Sequence, residues 1–392
     1  MLEIFDVLGV FRRPLSAESV MEAAIERTGL SDFGEVELKE PLSVLLPSLE
    51  KEADLSRFGR VAARWDTMRY LMNLLLLREQ EKKNPAIAAE PITAPIFITG
   101  LPRSGTTFMQ NLLRQDSANG VVRCLDTLYP CPTPAEAGER RRIKVDRQLA
   151  TFARLAPEFR KLYPISAESP QECTEITGHV FRSLRFDTTH HVPSYRRWLE
   201  QAGHVEAYRF HLKFLKYLQF SLGQGPQRWV LKCPDHVFAL TAIRQFYPDA
   251  KFVFMHRDPT EVLASVARLT EVLRRPFSRH IDRRQIGEQV SQSWAEGASI
   301  LVAADEEARL APDAVFHLNF RRFIADPKSA VAALYERFGL ELTPQTTDEV
   351  GRFIAAHPNG GYGRNPGRLE DYGLDAETER RRHRDYISRF GL

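Results

Sequence analysis

The residues best equipped for chemistry in this chain are those of Thr99-Gly-Leu-Pro-Arg-Ser-Gly-Thr-Thr107. They follow a short β-forming run, Pro95-Ile-Phe-Ile98, and precede Phe108, Met109, Leu112 and Leu113 at helical spacing. The pattern predicts strand, loop and helix. A loop in that context aims successive backbone N–H groups into one concavity at the positive end of a helix dipole, which suits phosphate or sulfate. Gly100 and Gly105 have the spacing of a nucleotide-binding G-x-x-x-x-G-K-[ST] loop, with Thr106 at the lysine position and Thr107 at the metal-binding hydroxyl position. Loss of that lysine argues against ordinary ATP hydrolysis or kinase chemistry. Arg103 moves the positive charge to the front of the loop, where a guanidinium can make two parallel hydrogen bonds to an oxyanion. Ser104, Gly105, Thr106 and Thr107 complete the candidate cradle.

A second group lies further along. Phe252-Val-Phe-Met255 runs into His256-Arg-Asp-Pro259, so Arg257 ends a predicted strand, and Ser265 follows two turns into the predicted helix. Arg257 supplies charge and Ser265 a hydroxyl donor to the same oxygens. Lys232 closes another apolar run, Trp229-Val-Leu231.

These residues need a scaffold that gathers strand ends. Short apolar strands (Pro95–Ile98, Trp229–Leu231, Phe252–Met255, Ala314–Leu318) alternate with helices, the last of these spanning Val331 to Phe338. This is the grammar of an α/β fold, a P-loop-like parallel sheet flanked by helices with active residues at the strands' C-terminal ends. Residues 1–90 read as a helical N-terminal region, with Ser16-Ala-Glu-Ser19 as a capping segment and a longer helix after Asp54 through Phe58, Val61, Trp65, Met68 and Met72. Residues 91–392 form the core, interrupted by a helical insertion at about 135–225, and the whole is expected to be one domain. Aromatics in that insertion, including Phe181, Phe186, Tyr195, Trp198, Phe210 and Phe214, fit either an apolar pocket or the insertion's own core. A glycine-rich stretch, Asn359-Gly-Gly-Tyr-Gly-Arg364, precedes a charged helical run, Glu377 to Arg389.

Bulk properties narrow the classes. With 392 residues and 43% hydrophobic content the chain can bury a large core. Lys plus Arg number 54 against 51 for Asp plus Glu, a net charge of +3, so there is no global basic field for nucleic acid. The four cysteines, Cys124, Cys131, Cys173 and Cys233, have neither metal-ligand nor disulfide-framework spacing. The start, Met1-Leu-Glu-Ile-Phe-Asp, carries no cationic leader, and the most apolar stretch, Tyr70–Leu77, is too short to span a bilayer. A cytoplasmic protein without metal or integral membrane segment is expected.

Leu101-Pro-Arg-Ser-Gly-Thr-Thr107 resembles the 5′-phosphosulfate loop of sulfotransferases that use 3′-phosphoadenosine-5′-phosphosulfate (PAPS), and Phe252–Pro259 with Ser265 resembles their 3′-phosphate site. Arg27-Thr-Gly-Leu-Ser-Asp-Phe-Gly34, Arg228–Pro234 and Leu369-Glu-Asp-Tyr-Gly-Leu374 resemble the bacterial-type branch. The chain departs from that branch at Asn319-Phe-Arg-Arg322 and Asn365-Pro-Gly-Arg368. The resemblance implies PAPS as co-substrate and an acceptor hydroxyl on a hydrophobic small molecule or lipid. It implies that Arg103 takes part in catalysis, with Lys232 as general acid or electrostatic clamp. It implies Asp126, in Arg123–Pro130 after the first loop helix, as the base. Glu172, Glu175 and the pair His190-His191 are the other candidate bases. A P-loop kinase or NTPase and a non-catalytic nucleotide-binding relative are the alternative readings.

Overall fold

The computed structural model describes residues 15–132, 137–223, 225–226, 228–306, 312–358 and 367–392. Five parallel strands, β1 (Ile96–Gly100), β2 (Asn119–Gly120), β3 (Arg228–Lys232), β4 (Lys251–His256) and β5 (Val315–Asn319), form one sheet in the order β2-β3-β1-β4-β5. In register, Ile98 faces Lys232 on one side and Val253 on the other. All five residues of β1 are buried, as expected for a central parallel strand covered on both faces. Alternation along the strands sends Ile96, Ile98, Val230 and Val253 against the helix Thr106–Leu113, and Phe97, Leu231 and Phe252 into the larger core on the other side.

Four strands are legible as apolar runs; β2 is not. Asn119-Gly120 has no β-forming character and is held as a strand by its surroundings. Arg228 N–H donates to the Ala118 carbonyl at 3.1 Å, while the Asn119 amide donates to the Leu113 carbonyl at 2.8 Å and to the Tyr335 hydroxyl at 3.1 Å.

The N-terminal region forms helices Ala17–Thr28, Lys39–Lys51 and Arg57–Lys83, the first capped by Ser16, whose Oγ accepts from the Ser19 N–H at 3.3 Å. Between β2 and β3 lie mainly helices, the longest being Glu139–Leu155 and Val205–Ser221. The insertion's aromatics answer the question left open by their composition. Phe181, Phe186, Tyr195, Phe210 and Phe214 are buried, and Trp198 packs partly buried against the same core. The charged C-terminal run breaks at His383 into Ala376–Arg382 and Arg384–Phe390. Phe390 stacks on His256 at the end of β4 with ring centroids 3.8 Å apart. The glycine-rich stretch 359–364 lies outside the described residues, as does Asn365.

One glycine ties the sheet to the loop. Gly100 has φ 128°, and a Cβ there would stand 2.2 Å from the Met255 carbonyl oxygen. β1 and β4 therefore approach only because Gly100 has no side chain. Gly100→Ala is expected to lose at least ~3 kcal/mol of stability, from strain and sheet displacement together. Urea unfolding of purified variant and wild type measures it.

Candidate functional site

Where β1 ends, the chain turns sharply into Thr106–Leu113. Arg103 adopts φ 62° and Gly105 φ 85°, and a Cβ on Gly105 would press on the Phe320 and Phe323 rings at 3.2 Å. The first intrahelical bond runs from Met109 N–H to Gly105 O at 3.0 Å. The amides of Gly105, Thr106, Thr107 and Phe108 therefore have no acceptor within the helix and face outward at its positive end. The Ser104 hydroxyl is fully buried and has no hydrogen-bond partner among the described residues. An orphaned donor beside a row of outward amides fits an oxyanion ligand.

The two motifs separated in sequence meet here. Arg103 Nε donates to Ser265 Oγ at 3.2 Å, and Arg257 Nη1 donates to the Arg103 carbonyl at 2.6 Å. Arg257 also donates through Nε to Glu261 at 2.9 Å, and its guanidinium lies 4.2 Å from the Phe320 ring centroid. Ser265 is buried on the helix Pro259–Arg274, whose N-cap Asp258 accepts from the Thr260 N–H at 2.9 Å and pairs with Arg380 at 2.7 Å. Arg103, Gly105, Thr106, Thr107, Arg257 and Ser265 all line one cavity of about 1790 Å³.

Lys232 is completely buried beside this cavity. Its Nζ donates to Glu172 Oε1 at 2.6 Å and to the Tyr163 hydroxyl at 3.2 Å, and those two partners, not Lys232, form the cavity wall. Just beyond it, the Cys233 N–H donates to Ile98 O at 3.2 Å and Thr99 Oγ1 donates to Pro234 O at 3.1 Å. These bonds fix the short helix Pro234–Ala239 where β1 enters the loop. They leave Asp235 on the cavity wall. Neither a hydrogen bond nor an ion pair engages the Asp235 carboxylate among the described residues. Burial, reinforced by the neighbouring Glu172 carboxylate, pushes its pKa up to about 7. Asp235 is inconspicuous in the sequence because a lone Asp after a proline resembles a turn residue; its position directly after Lys232-Cys-Pro is the available signal.

The other candidate bases are distributed differently. Asp126 is buried in the first turn of the short helix Cys124–Leu128, where its carboxylate accepts from the Arg123 N–H at 3.0 Å and from the Arg123 guanidinium at 2.9 and 3.0 Å. It closes a capping box and is not among the cavity-lining residues. Glu175 does line the cavity, but it accepts from Tyr70 at 2.9 Å and pairs with Arg185. Arg185 in turn pairs with Asp66 at 2.6 Å, and Asp66 with Arg69 at 2.7 Å. Burial opposes charge on Asp66, but Arg185 and Arg69 outweigh it and hold the carboxyl at about 2. This network braces the wall. His190 reaches the cavity; burial and then Arg185 lower its pKa to about 3, which keeps the imidazole neutral. Its Nδ1 is buried without a hydrogen-bond partner among the described residues. His191 is not part of the lining.

The far end of the cavity is apolar, and its aromatics come from elements other than the insertion's core. Phe277 has Phe58 and Phe152 on either side with ring centroids 6.0 Å away in each case, and Phe152 meets Phe159 edge-on at 5.1 Å. Leu149, Leu155 and Trp65 continue this lining. Phe58 and Trp65 belong to the periodic face of the long N-terminal helix. Periodicity alone does not separate a core stripe from a pocket wall. Among the described residues no group of His, Cys, Asp and Glu is placed to hold a metal ion, and no helix is long and apolar enough to cross a membrane.

Comparison with known proteins bears on the family and the fold. A solved structure of sulfotransferase STF1 from Mycobacterium tuberculosis H37Rv is 29% identical and superposes with a TM-score of 0.83 over 95% of this chain and 99% of that one. Sulfotransferase STF9 from Mycobacterium avium, 24% identical, gives 0.87 over 97% and 98%. The omega-hydroxy-beta-dihydromenaquinone-9 sulfotransferase Stf3 of Mycobacterium bovis (strain ATCC BAA-935 / AF2122/97) is 24% identical over 288 residues, 69% of this chain and 68% of that protein. Residues 95–344 match the model of the Sulfotransferase family, a span that holds the loop, Lys232, Arg257 and Ser265. The chain belongs to the Sulfotransferase family.

Proposed function

We propose that this protein transfers a sulfuryl group from PAPS to the hydroxyl of a hydrophobic small molecule or lipid by in-line displacement. The observation that carries this reading is the continuity of one cavity, with Arg103, Arg257 and Ser265 clustered at its polar end and the Phe58, Phe152 and Phe277 wall at the other. Arg103 and the outward amides through Thr107 would hold the 5′-phosphosulfate, and Arg257 with Ser265 the 3′-phosphate. Thr106 in place of the P-loop lysine disfavours a kinase or NTPase. The printed name of the Mycobacterium bovis relative, an omega-hydroxy-dihydromenaquinone sulfotransferase, supports an apolar acceptor carrying a hydroxyl.

Within this reading, Lys232 pairs with Glu172 on the cavity wall and lends its positive charge to the bridging-oxygen side from behind that wall. Asp235, on the short helix that follows β3, is the base that takes the acceptor proton; Asp126 serves as the brace for Arg123. Transfer through a loose transition state asks mainly for positioning and cationic stabilisation, which the arginine cluster supplies. The test has two arms. Isothermal titration should show the 3′,5′-bisphosphate product binding more tightly than ATP with Mg²⁺. Incubation with radiolabelled PAPS and a panel of long-chain alcohols and prenols should yield sulfated product. Tighter ATP binding would favour the kinase reading, and bisphosphate binding without transfer to any alcohol the non-catalytic one.

A further inference from the structure

The apolar end of the cavity is lined from the start of Arg57–Lys83 and the end of Glu139–Leu155, and this edge has an unusual composition. Phe58 is 42% exposed and Leu155 44% exposed, although both are large apolar residues of the cavity lining. Phe277 bridges the two sides, stacking with Phe58 on one and Phe152 on the other. Arg147 lines the cavity, and Arg57, Arg154, Arg160 and Lys161 lie within two residues of the lining Phe58, Leu155 and Phe159; all five are exposed, and no carboxylate pairs with any of them among the described residues. Arg147 and Arg154 are seven residues apart, so they share one face of their helix next to Leu155. The nearby acids are already engaged: Glu158 pairs with Arg268 at 2.7 Å and Arg275 at 3.3 Å, and Asp54 is held by Arg279 and His280.

We propose that this rim is a docking surface for an anionic lipid bilayer, through which the cavity receives its acceptor directly from the membrane. Exposed apolar side chains flanked by unpaired cations form the pattern that binds a headgroup boundary, the apolar groups entering the acyl region and the cations meeting anionic headgroups. A purely aqueous substrate would leave Phe58 and Leu155 in water at no benefit to binding. An anionic surface gives both features a partner, and places the cavity mouth against the phase in which a hydrophobic alcohol dissolves. Delivery of the acceptor rests on the sulfuryl-transfer reading, whereas the docking itself is read by binding alone, so the two can fail separately.

Sedimentation with vesicles tests it. The full-length protein should pellet with phosphatidylglycerol-containing vesicles and remain in solution with pure phosphatidylcholine, and added salt should release it. The triple variant R154E/R160E/K161E should partition at least about tenfold more weakly onto the anionic vesicles, with unchanged thermal melting and unchanged binding of the 3′,5′-bisphosphate. Phe58→Ser should also weaken partition while leaving the charge intact. Equal binding of wild type and triple variant, or no binding to either vesicle, overturns the proposal. So does capture of an acidic acyl carrier protein by this rim in place of vesicles, which would assign it to a protein-tethered acceptor.

Discussion

Asp235→Asn is expected to reduce sulfuryl-transfer turnover by ~10²–10⁴-fold while making the protein more stable at neutral pH. The two effects have one origin. The Asp235 carboxylate lines the cavity without a hydrogen-bonded partner among the described residues, and burial together with Glu172 raises its pKa to about 7. An unfolded Asp titrates near ~3.9, so the native state binds the proton more tightly than the unfolded state. Ionisation therefore disfavours folding, and the penalty grows as pH rises from about 4 to about 7. Asn carries no charge and escapes it: the variant should melt above wild type at pH 7 and beyond, with the gap closing in acid. Turnover runs the opposite way, because a base works only when deprotonated. Wild-type kcat should fall as pH drops through about 7, and the variant should lack that limb. Nucleotide affinity should be unchanged, which separates loss of the base from loss of the site. A variant that keeps both its turnover and its acidic limb would move the base elsewhere, with neutral, cavity-lining His190 next in line.

The sequence was most informative where local chemistry is self-contained. Thr99–Thr107 announces strand, loop and helix within nine residues, and its position between Ile98 and Phe108 leaves little else for the backbone to do. Arg257 and Ser265 are likewise a strand end and a helix turn, and β4 beside β1 brings them to the loop. The acceptor side was less legible because it depends on packing between distant elements. Phe58 and Phe152 are almost a hundred residues apart and meet only through Phe277, so neither helix reveals in isolation that its apolar face lines a cavity. The insertion aromatics show the converse, since their spacing suits a pocket equally well and tertiary contacts bury them. The carboxylates divide for a third reason. Asp126 and Asp235 look alike in sequence, and what distinguishes them is that Arg123 lies within reach of one and, among the described residues, no cation pairs with the other.

Arg257→Ala should weaken the 3′,5′-bisphosphate by roughly 30–100-fold, the worth of about 2–3 kcal/mol in hydrogen bonds to a charged group. A 5′-monophosphate lacking the 3′-phosphate should lose about fivefold or less. The asymmetry follows from what the guanidinium does in the absence of ligand. Nη1 holds the Arg103 carbonyl at 2.6 Å, Nε engages Glu261 at 2.9 Å, and the planar group rests on Phe320. Alanine removes the charge offered to a 3′-phosphate, and it also frees the carbonyl of a residue at φ 62°. The first loss is specific to the bisphosphate, whereas the second loosens the loop for any nucleotide. Arg257→Lys separates them, because lysine retains a charge but cannot reproduce the fixed fork or the flat contact with Phe320. Titration calorimetry of both variants against both nucleotides should therefore place lysine between wild type and alanine for the bisphosphate and close to alanine for the monophosphate. Equal losses for the two nucleotides would make Arg257 a brace for the loop and leave Ser265 and Arg103 to recognise the phosphate.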